Sequence, residues 1–297
     1  MNPKPMIRKA VFPVAGMGTR FLPATKASPK EMMPIIDKPL IQYAVEEALS
    51  VGIQEFIFVT SSSKRAIEDH FDKNFELEYR LEQSHKTELL AIVRNILPEA
   101  VRCIYIRQAE PLGLGHAIQC AEAVVGAEPF AVLLADDLID GSGSSCLAQM
   151  VAQFQILQSS LIAVESVRSK DVPKYGIVGV QDPEQQCAAI HRIIEKPSLE
   201  QAPSRLGVVG RYILTPKIFA CLRETVRLQV QGSEIQLTPA IDRLIAEESV
   251  YAFQFEGARY DCGSKLGYLE ATIHYGLKHA EVGADFQDFL KHLDLKA

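Results

Sequence analysis

Apolar positions along the chain follow two rhythms. Short apolar runs bounded by Gly, Pro or Asp alternate with longer stretches in which apolar residues recur every three or four positions. Unbroken runs suit strands buried on both faces, and the longer stretches suit helices that cover them. In the first half, Ala10–Ala15, Phe56–Val59, Cys103–Ile106 and Phe130–Ala135 predict four strands. Pro13 sits awkwardly in the first, because it donates no ladder hydrogen bond. Leu40, Ile41, Ala44, Val45, Ala48 and Leu49 share one face of a helix predicted over Leu40–Val51, with Glu46 and Glu47 opposite and Gly52 as its stop. Asn74–Leu97 reads as one long helical region ended by Pro98. The order is β-α-β-α-β-α-β.

The second half is less regular. Leu161–Val167, Gly176–Val180, Ile190–Ile194, Val208–Leu214 and Val250–Phe255 read as strands; Pro216–Thr225, Leu237–Glu247 and Leu266–His279 read as helices. These strands are expected to extend the sheet and carry a second lobe. The nearest thing to a linker is the short Gly/Ser segment Asp140–Ser145. No repeat or low-complexity segment divides the chain, so residues 1–297 read as a single α/β domain with a Rossmann-like, mixed but mostly parallel sheet flanked by helices.

Composition narrows the function. The chain of 297 residues carries 31 Lys and Arg against 37 Asp and Glu, a net charge of −6. That balance argues against a nucleic-acid partner, though it leaves room for a local anion site. No stretch approaches the roughly 18 apolar residues of a membrane helix. Met1–Lys9, with Pro3 and Pro5, lacks the apolar core of a signal peptide. Six cysteines form no CxxC pair and read as reduced thiols, so a cytoplasmic protein is expected. Seven histidines are scattered, with no HExxH.

The strongest chemistry follows the first strand, at Gly16-Met17-Gly18-Thr19-Arg20. A Gly-rich turn at a strand's carboxyl end lets backbone N–H groups approach a phosphate. It is not a dinucleotide fingerprint, since the third Gly is replaced by Phe21 and no acidic residue follows the second strand; GxxxxGK[ST] is absent. Arg20, Lys26, Lys30 and Lys38 outnumber Glu31 and Asp37, making this stretch net positive in a net-negative chain. Pro23, Pro29 and Pro34 stiffen it. A cationic, stiffened Gly loop suits a polyphosphate.

Gly16-Met-Gly-Thr-Arg-Phe-Leu-Pro-Ala-Thr-Lys26, with Pro29-Lys-Glu-Met-Met-Pro-Ile-Ile-Asp-Lys-Pro39, resembles the signature of the sugar-phosphate nucleotidyltransferases. More narrowly, the chain is similar to the bacterial UTP–glucose-1-phosphate uridylyltransferases, from about residue 7 to residue 280. The resemblance implies a nucleotide-binding half over 7–140, a sugar-phosphate half over 141–262 and C-terminal helices over 263–297. Ala15, Gly16, Gly18 and Thr19 would cradle the nucleotide. Arg20 would hold the β- and γ-phosphates, and Lys30 would reach the α-phosphate. Gln108 would read the uracil edge, with Gly113 letting the base pack close.

Asp136 and Asp261 would share one Mg²⁺; here Ala135 precedes Asp136 where the family commonly has Pro, and Asp137 is the alternative ligand. In the second half, Tyr175-Gly176 resembles the family's sugar loop and Glu195-Lys196-Pro197 its Glu-Lys-Pro motif. Glu195 would accept glucose hydroxyls and Lys196 would pair with the sugar phosphate. Val209 and Gly210 would offer backbone contacts. Glu234–Thr238 resembles a segment beside the sugar site, with no role assigned.

The implied reaction is UTP plus α-D-glucose 1-phosphate giving UDP-glucose and diphosphate, with Arg20, Lys30 and Lys196 as the catalytic cations and Mg²⁺ as cofactor. The competing readings are a transferase using dTTP or another sugar 1-phosphate, and a non-catalytic nucleotide-binding regulator. The family implies a homodimer or homotetramer, with no nucleic acid or membrane partner.

Overall fold

The computed structural model describes residues 6–141, 143–228 and 233–294. The start of the polar N-terminal stretch, with Pro3 and Pro5, lies outside them, as does Ser142 of the Gly/Ser segment. Among the described residues the first strands are β1 (Lys9–Pro13), β2 (Pro34–Ile35), β3 (Lys38–Pro39), β4 (Glu55–Thr60), β5 (Arg102–Arg107), β6 (Phe130–Leu133) and β7 (Asp137–Gly141). The second set is β8 (Ser160–Ser166), β9 (Gly176–Val180), β10 (Cys187–Glu195), β11 (Leu206–Leu214), β12 (Val250–Gln254) and β13 (Gly257–Asp261).

Nine of these form one sheet in the order β5-β4-β1-β6-β11-β8-β12-β10-β9. The first four are parallel. Past β6 the pairing turns antiparallel at β11, and only β8–β12 is parallel beyond it. Alternation along each strand sends side chains to two separate cores. Val11, Ile57, Val59 and Val132 pack on one face with the helices Leu114–Cys120, Ile218–Arg227 and Thr238–Glu247. Ala10, Phe12, Phe56, Phe58 and Leu133 pack on the other with the helices Leu40–Ser50 and Cys146–Leu157. Both faces are covered, which is why these strands read as unbroken apolar runs.

Two expectations need correction. The first strand ends at Pro13, and Val14 and Ala15 continue as loop. The region Asn74–Leu97 holds two helices, Phe75–Gln83 and Thr87–Arg94, with His85 at φ 53° between them. From Glu82 to Glu88 the chain offers no apolar residue that could carry a buried face across the break. β7 includes Asp140 and Gly141 and pairs antiparallel with β13, and Ser145 caps the next helix by accepting the Ala148 N–H at 3.2 Å.

Arg211 of β11 is almost wholly buried, and Glu47 of the helix Leu40–Ser50 matches it at 2.8 Å. No helix among the described residues is long and apolar enough to cross a membrane.

Candidate functional site

A cavity of ≈ 1000 Å³ opens where the loops after β1 and β6 meet β9–β11 and β13. Arg20, Asp136, Tyr175, Gly176, Glu195, Lys196, Val209, Gly210 and Asp261 all line it. Those nine residues span the chain from 20 to 261, and each was expected at a site. Ala15, Gly16, Gly18, Thr19, Lys30, Gln108 and Gly113 are not part of that wall.

Both carboxylates are set by the β7–β13 ribbon, which stands apart from the main sheet and aligns Asp137 with Asp261. Asp136 immediately precedes the ribbon. A Cβ on Gly263 would lie 2.9 Å from Asp136 Oδ2 and 3.0 Å from Asp261 Oδ1, so the two acids converge on one small volume. Arg20 donates to the Gly263 carbonyl at 3.1 Å and borders the same spot. Burial pushes the Asp261 carboxyl up, and the neighbouring Asp137 and Asp136 push it further.

Lys30 stands 2.5 Å from Asp136. Burial works against the Asp136 carboxylate, but Lys30 outweighs it and holds the acid below the usual range. Burial likewise works against the Lys30 ammonium, and Asp136 with Glu31 holds it above its ordinary value. Gly18, in the left-handed region at φ 65°, makes room for this lysine: a Cβ there would sit 3.2 Å from Lys30 Cβ. Beneath the loop, Glu31 and Lys64 form a buried pair at 2.7 Å that anchors the turn presenting Lys30. The basic stretch is therefore divided. Lys38 turns away to Glu46 at 2.7 Å and lies over Tyr43, while Lys26 is exposed.

Asp137, the alternative metal ligand, is already engaged. Its Oδ1 meets Arg259 at 2.5 Å and its Oδ2 accepts the Gly210 N–H at 2.6 Å. Arg259 also donates to Glu165 at 2.6 Å and to the Tyr175 hydroxyl at 3.1 Å. One guanidinium thus joins the ribbon, the Tyr175 loop and, through Asp137, the backbone at Gly210. Burial keeps the Glu165 carboxyl above its ordinary range in spite of Arg259. Arg259 was missed in the sequence. Its signal was its place two residues before Asp261, on the same side of a strand.

Elsewhere in the cavity lining, Glu195 accepts from Thr238 Oγ1 at 2.6 Å and lies 3.5 Å from Lys196 Nζ. Lys196 has φ 45° and donates its N–H to the Tyr175 carbonyl at 3.0 Å, which turns its chain out of β10 towards the cavity wall.

Gln108 is buried, and its amide nitrogen donates to the Gly113 carbonyl at 3.1 Å. Gly113 adopts φ 102°, and a Cβ there would strike the Ile235 carbonyl at 2.8 Å. Ile235 N–H donates to Leu112 at 2.7 Å, and Gly115 N–H donates to Ile235 at 2.8 Å. The segment at Glu234–Gln236 is therefore a backbone splint for the Gly113 loop.

Comparison with known proteins agrees along the chain. The nucleotidyl transferase family profile matches residues 9–276. The UTP–glucose-1-phosphate uridylyltransferase of Haemophilus ducreyi is 49% identical over 292 residues, covering 96% of this chain and 98% of its own. Among solved structures, the UTP-bound UGPase of Acinetobacter baumannii is 48% identical with a TM-score of 0.90, covering 97% of this chain and 100% of its own. A UDP-glucose pyrophosphorylase complexed with UDP-glucose is 46% identical with a TM-score of 0.83, covering 92% of this chain and 100% of its own.

Proposed function

This chain belongs to the nucleotidyl transferase family, and on that premise we propose that it transfers the uridylyl group of UTP to α-D-glucose 1-phosphate, yielding UDP-glucose and diphosphate. The observation that carries this reading is a single cavity lined by Arg20, Asp136 and Asp261 together with Glu195 and Lys196. Two anionic substrates can be held there against their mutual repulsion.

A phosphate oxygen of the sugar phosphate attacks the α-phosphorus of UTP. The new P–O bond forms as the bond from that phosphorus to the bridging oxygen of the β-phosphate breaks, and diphosphate leaves. The nucleophile is already an anion, so no general base is needed. Ala15, Gly16, Gly18 and Thr19 cradle the triphosphate, Arg20 holds the departing phosphates, and Lys30 turns from Asp136 to the α-phosphate. Lys196 holds the attacking phosphate, and Glu195 accepts from the sugar hydroxyls beside Tyr175, Gly176, Val209 and Gly210. Gln108, with Gly113, meets the uracil edge.

Asp136 and Asp261 suit a divalent cation such as Mg²⁺, because two hard oxygen donors converge on one volume beside the phosphate-facing cations. When bound, Mg²⁺ supplies charge neutralisation at phosphate oxygens. The remaining work falls to the side chains: they align the two substrates and keep the α-phosphate bordered by positive charge.

Diphosphate release measured with UTP, glucose 1-phosphate and Mg²⁺ tests the reading, with dTTP as a competing nucleotide. Turnover of UTP ahead of dTTP is expected; absence of release with any nucleotide ends the enzyme reading in favour of a binding protein. Lys196→Ala is expected to raise KM for glucose 1-phosphate about 10- to 100-fold, the worth of a charge-assisted contact, while the Kd for UTP measured by calorimetry stays within about threefold. Collapse of UTP binding in that variant would place Lys196 on the wrong substrate.

A further inference from the structure

The amide of Gln108 is held in one orientation by two acceptors. Its nitrogen faces the Gly113 carbonyl at 3.1 Å and His116 Nδ1 at 2.9 Å. An amide nitrogen carries two hydrogens and accepts none, so the ring nitrogen facing it must be the acceptor. His116 is thereby fixed in the tautomer with its proton on Nε2, where Cys120 Sγ lies 3.9 Å away as a weak acceptor. Both amide hydrogens are consumed inside the protein. Gln108 Oε1 has no hydrogen-bond partner among the described residues.

We propose that His116 is a specificity-determining residue: by accepting from Gln108 Nε2 it leaves only the Oε1 acceptor for the base, and so selects an imide edge over an amidine edge. This rests on the reading that Gln108 faces the base. Uracil presents an N3–H donor that Oε1 can accept. Cytosine presents a bare N3 lone pair at the same position, so acceptor would face acceptor and neither would be paired. Thymine presents the same N3–H as uracil, and His116 therefore separates UTP from CTP without separating UTP from dTTP. The Gly113 carbonyl is a second anchor, but it also accepts the Ala117 N–H at 3.1 Å. With His116 removed, the amide loses one of the two acceptors that fix it, so it can turn over and present Nε2 in place of Oε1 to a cytosine ring nitrogen.

The test compares kcat/KM for UTP and CTP, at saturating glucose 1-phosphate, in the wild-type enzyme, H116A and H116N. An Asn side chain can place an acceptor oxygen near the position of Nδ1. The UTP-over-CTP preference is expected to fall about tenfold or more in H116A, mostly through KM for the nucleotide, and to return to within about threefold of wild type in H116N. KM for glucose 1-phosphate should be unchanged in both. A preference retained within twofold in H116A overturns the role of His116 while leaving uridylyl transfer intact. An equal loss in H116A and H116N also overturns it, since that assigns the ring to packing. A wild-type enzyme that turns over neither nucleotide overturns the uridylyl reading itself.

Discussion

Lys30→Ala is expected to lower kcat by about 10²–10³-fold, equivalent to roughly 3–4 kcal/mol of transition-state stabilisation, as for loss of one preorganised charge partner. Lys30 has two tasks in the geometry described. It neutralises Asp136 at 2.5 Å, in a corner that Asp261 shares. In the proposed reaction it also faces the α-phosphate, where negative charge is redistributed as the bridging bond breaks. Removing it leaves Asp136 beside a second acid without its cation, so the first anionic substrate meets a more negative site. Because Lys30 is not part of the Glu195–Lys196 wall, KM for glucose 1-phosphate should stay within about threefold. Steady-state diphosphate release measures both quantities. A kcat within tenfold of wild type would remove Lys30 from the chemical step.

The second large effect is on stability. Arg259→Met is expected to cost about 3–5 kcal/mol at pH 7, because it strips the cation from Asp137, which remains buried, and from Glu165, which remains partly buried. The pH dependence follows from Glu165, whose carboxyl burial already holds above the ordinary range. Without the guanidinium it rises further. An acid whose folded pKa is raised destabilises the fold when ionised, and that penalty fades as pH falls and the proton is taken up. The deficit measured by urea denaturation should therefore be smaller at pH 5 than at pH 7. An equal deficit at both values would assign the effect to lost packing. Lysine should restore little, since Arg259 divides its nitrogens among Asp137, Glu165 and the Tyr175 hydroxyl and one ammonium cannot.

Much of this site was legible in the chain because its residues sit in short, chemically unusual strings. Gly16–Arg20 and Pro29–Glu31 concentrate glycine, proline and positive charge, and Glu195-Lys196-Pro197 places its two ions side by side. The strands were legible for a different reason: burial on both faces leaves unbroken apolar runs such as Phe56–Val59. What escaped was contact between distant segments. Lys64 looks like an ordinary surface lysine until Glu31 is seen 2.7 Å away. Arg259 reads as one strand residue among several, and only the fold gathers Asp137, Glu165 and Tyr175 around it. The break at His85 escaped because the run from Glu82 to Glu88 holds no Gly or Pro to mark a turn, whereas Pro98 is a plain helix stop.

The β7–β13 ribbon gives the site an order of assembly. Its strands end at residue 141 and resume at residue 257, so the whole segment between those positions is the connection between two paired strands. A chain emerging from the ribosome has its Gly-rich loop and Asp136 exposed to the solvent long before Asp261 exists. The corner where Asp136 meets Asp261 can therefore close only near the end of synthesis, and the strand pairing that closes it is among the most non-local in the fold.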